Sequence, residues 1–384
     1  MASVIGEDLT TPGTHALVIG VSAYRHLADG PNPTQAGSSF DLEQLTAAAR
    51  SASEFAAWFL TEYTCPTAPR NSLRILLSPS PGEVIAQAVT DLGQPIPEAT
   101  LANARAALVE FRAACNANTG NVGIVYVAGH GVQLSKTGAV LLLTDFGDPT
   151  QASTLEMALD MAAIHEAFNH PASSRTQFWF VDACRQKPAV AKRFETMPGA
   201  LKLDIPNGTT ETSPLFLAAT TGTAAFARPG GMTLFAEALL WALRAGAVAP
   251  PDDSLDAWHV PVRELIHRLP DRVQALAAAE SAEQSVDIAG KIHDATIQRF
   301  AATPMAELRI DLDPEPARPA SRGTLKPGFG GDPVVSGFSA WPFQQPVDAG
   351  LYMLSIQADA PFIGLDTVLD VRPPATRKGF TVGQ

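Results

Sequence analysis

Short, continuous apolar runs that alternate with helical patterns dominate the first 250 residues of this chain. The runs are ALVIGV (16–21), LRILL (73–77), GIVYVA (123–128), AVLLLT (139–144), QFWFV (177–181) and LFLAA (215–219). Strands that are apolar at every position are buried on both faces, which is typical of parallel sheets covered by helices. The pattern therefore predicts an α/β fold in which a mostly parallel sheet is sandwiched by helices.

The segments between these runs carry apolar residues at helical spacing. Asp41, followed by Gln44 three residues later, has the form of a capping box and predicts that the first helix opens there. The same periodicity predicts further helices over about 101–115, 157–168, 233–246, 260–278 and 285–300.

The amino-acid composition changes after residue 300. Residues 311–333 contain five prolines and four glycines, a content that interrupts helices and indicates a linker or long loops. Three strand-like runs then follow: VVSGF, GLYMLSI and TVLDV. We predict a large domain over 1–300, a linker over 301–333 and a small β-rich, sandwich-like domain over 334–384, whose last ten residues form a loose tail.

Composition narrows the classes of function. The net charge of −12 argues against a nucleic-acid-binding protein, because phosphate binding requires clustered Lys and Arg. No apolar stretch approaches the roughly 20 residues needed to span a bilayer, and the first residues do not resemble a secretion signal. The three cysteines cannot all pair within one chain, and a free thiol persists best in a reducing cytosol, so a cytoplasmic location is expected.

Common nucleotide and metal motifs are missing from the sequence. We find no phosphate-binding loop, dinucleotide fingerprint or G-x-S-x-G nucleophile elbow. His165, Glu166 and His170 form H-E-x-x-x-H, but five residues turn a helix by about 140°, so the two rings would not face one ion. No metal or cofactor is predicted.

Two apolar runs end at groups that are capable of proton or nucleophile chemistry. The run 123–128 leads into Gly129-His130-Gly131, and the run 177–181 leads into Asp182-Ala183-Cys184. Both ends fall at the carboxyl edge of a parallel sheet, where such folds bind ligands. A thiol and an imidazole distant in sequence and adjacent in space form the arrangement that nucleophilic cysteine catalysis requires.

The chemistry assigns a role to each group. His130 would take the proton of the Cys184 thiol, and the backbone N–H groups of Gly131 and Cys184 would stabilise the tetrahedral oxyanion. Taken separately, the cysteine is equally compatible with a small buried apolar residue, and the histidine with a turn residue.

The two motifs together resemble the caspase-like cysteine peptidases, the clan of caspases, paracaspases, metacaspases and their bacterial relatives. Caspases carry Q-A-C-[RQG]-G with a histidine about 50 residues upstream, and this chain has D-A-C-R-Q with His130 at that spacing. Residues 14–24, 46–60 and 213–243 are similar to the family's first strand, first helix, and small-subunit strand and helix. The resemblance covers roughly residues 12–300 and implies a caspase-like fold with a Cys184–His130 dyad.

The resemblance also bears on specificity. Paracaspases and metacaspases have an aspartate two residues before the nucleophile that lines the primary specificity pocket, and here that residue is Asp182. A partly buried carboxylate without a partner is costly, and a guanidinium or ammonium would relieve that cost; the alternative is a carboxylate that caps a loop or helix. Many metacaspase-like proteins carry a second aspartate where this chain has Ser51, and Asp41 or Glu43 could replace it.

The segment after Cys184 corresponds to the caspase intersubunit linker, which is cut during maturation. Lys192-Arg193 is the most plausible self-cleavage site, although ordinary surface charge explains these residues equally well.

The resemblance implies an endopeptidase that cleaves proteins after Arg or Lys through a thioester acyl-enzyme. It further implies latency until an activating protease or regulatory partner acts, calcium control in some metacaspases, and a role in bacterial stress, defence or cell-death signalling. Two other functions stay open: a catalytically silent caspase-like scaffold, and a cysteine hydrolase or acyltransferase for small molecules.

Overall fold

The computed structural model describes most of the chain, with gaps in several loops. The described residues are 10–34, 42–133, 139–151, 155–169, 174–184, 201, 203, 212–220, 225–228, 230–253, 255–328 and 330–383. The chain divides into two compact units, the first formed by Met1–Arg244 with Val260–Gln298 and the second by Ala245–His259 with Arg299–Gln384.

The elements up to residue 299 are strands with helices between some of them. The strands are β1 (Thr14–Val21), β2 (Arg70–Ser78), β3 (Val122–Gly129), β4 (Gly131–Gln133), β5 (Ala139–Leu142), β6 (Ala158–Asp160), β7 (Thr176–Ala183), β8 (Ser213–Leu217), β9 (His259–Pro261), β10 (Asp287–Lys291) and β11 (Thr296–Arg299). The helices are α1 (Ala48–Thr61), α2 (Gln87–Thr90), α3 (Leu101–Asn116), α4 (Met161–Ala167), α5 (Leu234–Trp241) and α6 (Val262–Ala279).

A six-stranded sheet in the order β10-β8-β7-β3-β1-β2 forms the centre of the first unit. Neighbouring strands from β2 to β8 are parallel, and only β10 is antiparallel to its neighbour in this sheet. Every residue of β1 and β3 is buried, as their continuous apolar runs predicted. The predicted mostly parallel sheet is therefore confirmed.

Helices cover both faces of this sheet. On one face, Leu17 and Ile19 of β1 belong to a core cluster with Leu108 and Phe111 of α3. On the other face, a Cβ at Gly20 of β1 would overlap Ala49 and Ala52 of α1, so glycine permits α1 to lie directly against the strand.

The first helix begins later than the capping-box pattern predicted. Helix α1 starts at Ala48, and Asp41 lies outside the described residues. The backbone N–H groups of Ala49 and Arg50 donate instead to Ser22 Oγ (2.9 Å) and Glu83 Oε1 (2.8 Å), which come from distant parts of the chain. These remote acceptors satisfy N–H groups that have no partner within the helix. Gln44 is therefore not needed as a cap.

Two further expectations for the first unit need correction. The run 139–144 contributes β5 to a separate three-stranded antiparallel sheet, β4-β5-β6, rather than to the central sheet. The segment 285–300 forms strands β10 and β11 rather than a helix. The predicted helix over 260–278 agrees closely with α6.

The second unit contains two antiparallel-rich sheets that share a core. Its strands are β12 (Met305–Asp313), β13 (Ser321–Pro327), β14 (Val335–Phe338), β15 (Phe343–Asp348), β16 (Gly350–Ala358), β17 (Leu365–Val371) and β18 (Ala375–Thr381). The sheets are β15-β12-β18 and β14-β13-β16-β17. Leu308 and Ile310 of the first sheet pack in one cluster with Leu354 and Leu369 of the second, which gives a β-sandwich.

The linker predicted over 301–333 is wrong, because this segment contains β12 and β13. Apolar and polar residues alternate along β12, so one face is buried and the other is exposed. The predicted loose tail is also wrong, since β18 pairs in parallel with β12 from Glu307 to Asp313. Within the described residues, no helix is long and apolar enough to cross a membrane.

Candidate active site

The structure brings His130 and Cys184 to one edge of the central sheet. Strands β3 and β7 are parallel neighbours, and Gly129 is the register partner of Ala183. His130 and Cys184 directly follow these two strand ends, where paired backbones are about 4.8 Å apart. Both residues line one cavity of ≈ 190 Å³ at the carboxyl ends of these strands.

Five pieces of the chain enclose this cavity. They are residues 44–48, which lead into α1, the two strand ends, residues 225–227, and Thr233 at the start of α5. The cavity is therefore formed within the first unit by segments that the central sheet brings together.

Four contacts hold the half-buried His130, whose backbone carbonyl accepts from the Leu142 N–H at 2.9 Å. Its backbone N–H donates to Tyr24 Oη (2.7 Å), and the two rings lie with their centroids 5.0 Å apart. Its ring Nε2 lies 2.7 Å from the backbone oxygen of Glu43. Because a carbonyl oxygen only accepts, Nε2 carries the proton in the neutral ring and Nδ1 is left as the acceptor.

Burial governs the protonation of the two candidate catalytic groups. It lowers the pKa of His130, although the hydrogen bond to the Glu43 carbonyl acts in the opposite direction. Burial likewise raises the pKa of the Cys184 thiol; the N–H of Ala225 opposes this rise and the charge of Asp182 adds to it. Both shifts favour a neutral thiol beside a neutral imidazole at neutral pH.

The Cys184 thiol contacts the backbone of Ala225. The N–H of Ala225 donates to Sγ at 3.2 Å, and Sγ lies 3.7 Å from the Ala225 oxygen. The other two cysteines, Cys65 and Cys115, are buried and form no disulfide. Cys184 is the cysteine that lines the cavity.

Gly131 packs directly against the carbonyl group of Cys184. A Cβ at this position would overlap the Cys184 carbonyl oxygen and would lie 2.8 Å from the Ala183 Cβ. The glycine is thus required for close approach of the two backbones that carry His130 and Cys184.

Asp182 is a buried carboxylate in the wall of the cavity, with a relative exposure of 2%. Its Oδ2 accepts hydrogen bonds from Tyr126 Oη (2.7 Å) and from Thr233 Oγ1, whereas Oδ1 has no hydrogen-bond partner among the described residues. Burial raises the pKa of Asp182 to about 6, and the two hydroxyl donors oppose that rise. At neutral pH the carboxylate therefore carries a charge with one unsatisfied oxygen, a costly arrangement that a cation would relieve.

Ser51, at the position where many metacaspase-like proteins carry a second aspartate, is linked to Asp182 through Thr233. Its Oγ accepts from the Thr233 N–H (2.9 Å) and donates to the Ala47 carbonyl (2.7 Å). Thr233 in turn accepts from Ala236 N–H at the start of α5 and donates to Asp182. The hydroxyl pair thus links α1, α5 and the aspartate without a second charge.

The structure does not describe some of the predicted residues. Asp41, Lys192 and Arg193 lie outside the described residues, as does His170. The ring of His165 is buried and bonds through Nε2 to Ser213 Oγ at 2.7 Å, which is a structural contact in the core.

Sequence reasoning missed the groups that hold the predicted side chains in place. Tyr24, Tyr126 and Thr233 were not singled out, although Thr233 stands at a helix start where a threonine cap is common. Glu43 was considered for its carboxylate, but its backbone carbonyl is the group that contacts His130. No residue type signals the position of a backbone carbonyl.

Comparison with known proteins gives a clear family assignment. No curated protein matches this chain. The crystal structure of caspase-1 from Spodoptera frugiperda is similar to 76% of this chain and 94% of its own, with 11% identity and a TM-score of 0.39. The family model described as the caspase domain matches residues 14–285, which is most of the chain. The chain therefore belongs to the caspase domain family of cysteine peptidases.

Proposed function

We propose that this protein is a cysteine endopeptidase that uses Cys184 and His130 to cleave proteins after Arg or Lys. The observation that carries the proposal is the buried Asp182, which lines the cavity that His130 and Cys184 share and whose Oδ1 has no hydrogen-bond partner in the described part of the chain. The family match supports a peptidase, and the chemistry of the cavity supports the basic specificity.

His130 Nδ1 would act as the general base. Since Nε2–H is held by the Glu43 carbonyl, Nδ1 accepts the thiol proton as Sγ attacks the substrate carbonyl carbon. The pKa directions favour a neutral pair, so the proton moves as the C–S bond forms. Backbone N–H groups of Gly131 and Cys184 would stabilise the oxyanion, and such a donor contributes roughly 3 kcal/mol.

The intermediate then collapses to a thioester. The C–N bond breaks, and the His130 imidazolium gives its proton to the departing amine. Water attacks the thioester as Nδ1 accepts a proton again, the acid is released, and that proton returns to the sulfur. The reaction consumes the peptide and one water molecule, and it regenerates the enzyme.

Asp182 would bind the basic side chain of the substrate. A guanidinium or ammonium directed at Oδ1 supplies the missing partner, while Tyr126 and Thr233 keep Oδ2 in place. An acidic side chain would instead meet the Asp182 charge and be repelled.

A fluorogenic peptide panel tests this proposal. Peptides matched except for Arg, Lys, Asp or Ala before the scissile bond are offered to the wild type and to Cys184→Ala. We expect turnover of the Arg and Lys peptides only, and its loss in Cys184→Ala. Preference for Asp peptides would reject the role of Asp182, and the absence of turnover with any peptide would favour a silent scaffold or small-molecule enzyme.

Self-cleavage near Lys192-Arg193 follows from the same proposed specificity. The purified wild type should split into two bands near residue 193, and Cys184→Ala should stay intact. An intact wild-type band after long incubation would reject self-processing without affecting the cleavage of other proteins.

A further inference from the structure

We propose that Gln44 is a positioning residue that fixes His130 in the tautomer and orientation needed for proton transfer. The inference rests on the proposed Cys184–His130 chemistry and adds a residue that acts through the histidine. Gln44 lines the cavity, and it is the residue that the sequence pattern assigned to a helix cap.

The Gln44 amide makes three hydrogen bonds to one short stretch of backbone. The Tyr24 N–H donates to Oε1 at 2.7 Å, and Nε2 donates to the carbonyl oxygens of Tyr24 and Ala28, each at 2.9 Å. The partners fix the amide orientation, since an N–H must meet Oε1 and two carbonyls must meet Nε2. The amide oxygen and both N–H groups of this side chain are thus directed at residues 24–28.

Two of the groups that hold His130 are adjacent to this clamp. Tyr24, whose backbone Gln44 binds, supplies the hydroxyl that accepts the His130 N–H and the ring that lies against the imidazole. Glu43, the residue before Gln44, supplies the carbonyl that accepts the Nε2 proton. The clamp therefore ties the two supports of the histidine to each other.

The position of the Glu43 carbonyl depends on contacts made by its neighbours. The Glu43 side chain is exposed, whereas Gln44 binds residues 24–28 and the Leu45 N–H donates to the Ser22 carbonyl at 2.9 Å. Loss of the Gln44 bonds leaves the carbonyl held from one side only. Once it moves, Nε2–H loses its acceptor, the other ring tautomer becomes accessible, and Nδ1 is no longer reserved for the thiol.

A merely structural role makes a different prediction. If Gln44 only stabilises its loop, its loss would lower the free energy of unfolding and leave the His130 tautomer unchanged. If it positions His130, the tautomer and the rate of the chemical step change while substrate affinity does not.

Two variants and one control separate these roles. Gln44→Met keeps the length of the side chain and removes all three bonds, whereas Gln44→Glu keeps the acceptor for Tyr24 N–H and removes both donors. Gln87→Met is the matched control, because Gln87 donates to Asp91 at 2.6 Å on the exposed surface of α2. For each protein we would measure thermal unfolding, kcat and KM on the best peptide, and the ¹⁵N spectrum of His130 at pH 8.

We expect a single Nε2–H tautomer in the wild type and in Gln87→Met, and a mixture in Gln44→Met. We expect kcat to fall about 10²-fold in Gln44→Met with KM unchanged, since a misplacement of about 1 Å has that effect. The tautomer ratio and the kcat of Gln44→Glu should lie between those of the wild type and of Gln44→Met. A folded Gln44→Met with a wild-type kcat, or a lower kcat with the wild-type tautomer, overturns the inference.

The tautomer measurement needs no substrate. A wild type that cleaves no peptide would count against the proposed function, while the ¹⁵N spectra would still decide the role of Gln44. If neither Gln44 variant folds, the residue serves the fold and the positioning role is rejected.

Discussion

Replacing Asp182 with asparagine should lower activity on basic substrates and raise the stability of the protein. Asn keeps the shape of the side chain and can still accept from Tyr126 and Thr233. It removes the charge that the incoming guanidinium or ammonium would meet. Breaking a buried charge pair by neutralising one partner costs about 2–5 kcal/mol, which corresponds to a loss of about 30-fold to a few thousand-fold in kcat/KM.

The stability gain follows from the direction of the pKa shift. Burial raises the pKa of Asp182 from 3.8 to about 6, so the folded protein binds this proton more tightly than the unfolded chain does. The favourable contribution is complete below pH 4 and is lost as the pH rises through 6. A rise of about two units corresponds to ~3 kcal/mol, so Asp182→Asn should gain up to that amount over the wild type between pH 4 and pH 7.

Two assays test this pair of effects. Peptides ending in Lys or in its uncharged isostere norleucine report specificity, and urea unfolding at pH 4, 5, 6 and 7 reports stability. Asp91→Asn, an exposed carboxylate that contacts Gln87, serves as the control and should change neither. An Asp182→Asn protein that still prefers Lys over norleucine, or whose advantage in unfolding free energy does not grow with pH, would refute the reasoning.

Two further substitutions test the support of the cavity. Gly131→Ala should reduce kcat by about 10²-fold, because its Cβ would overlap the Cys184 carbonyl and displace the nucleophile. Gly379→Ala is the control and should be neutral, since a Cβ at this position has no neighbour within 4 Å. Equal kinetics of the two variants would contradict this reasoning. Glu83→Gln should lower the free energy of unfolding by about 1–2 kcal/mol, since Glu83 accepts from Ser22 Oγ, Arg50 N–H and Ser80 N–H. Glu264, which lies 3.5 Å from Arg268 one turn further along α6, gives the control Glu264→Gln in the same urea titration, and a similar loss in both variants would remove the special role of Glu83.

The central sheet was predictable from sequence because burial on both faces leaves a continuous apolar run. Strands β1, β3 and β7 lie where such runs occur, and the groups at the ends of β3 and β7 meet at one cavity. Two residues 54 positions apart in sequence could be paired because parallel neighbours end at the same edge.

The second unit was partly missed because proline and glycine content was weighed above periodicity. The prolines between 311 and 333 fall mainly in the connections around β13, whereas Ala306, Leu308, Ile310 and Leu312 alternate with polar residues along β12. Such alternation is the mark of a strand with one buried face. A different error placed a helix over β10 and β11, where apolar residues at helical spacing belong to two short strands.

The supports of His130 were beyond sequence reasoning for a different reason. The Glu43 carbonyl is backbone, and every residue has one. Gln44 matched a capping pattern, but Ser22 and Glu83 satisfy the amides at the start of α1. Which acceptor meets a helix start depends on tertiary contacts that local spacing does not encode.

The register between β3 and β7 determines which insertions in the chain would disrupt the site. Because Gly129 lies opposite Ala183, the backbone ladder itself sets the separation of the thiol and the imidazole. Inserting a single residue within β7 would turn the sulfur toward the opposite side of the sheet, whereas lengthening a distant surface turn would leave that spacing intact. Alkylation of Cys184 by a small reagent would therefore report on the integrity of the ladder even where no peptide is turned over.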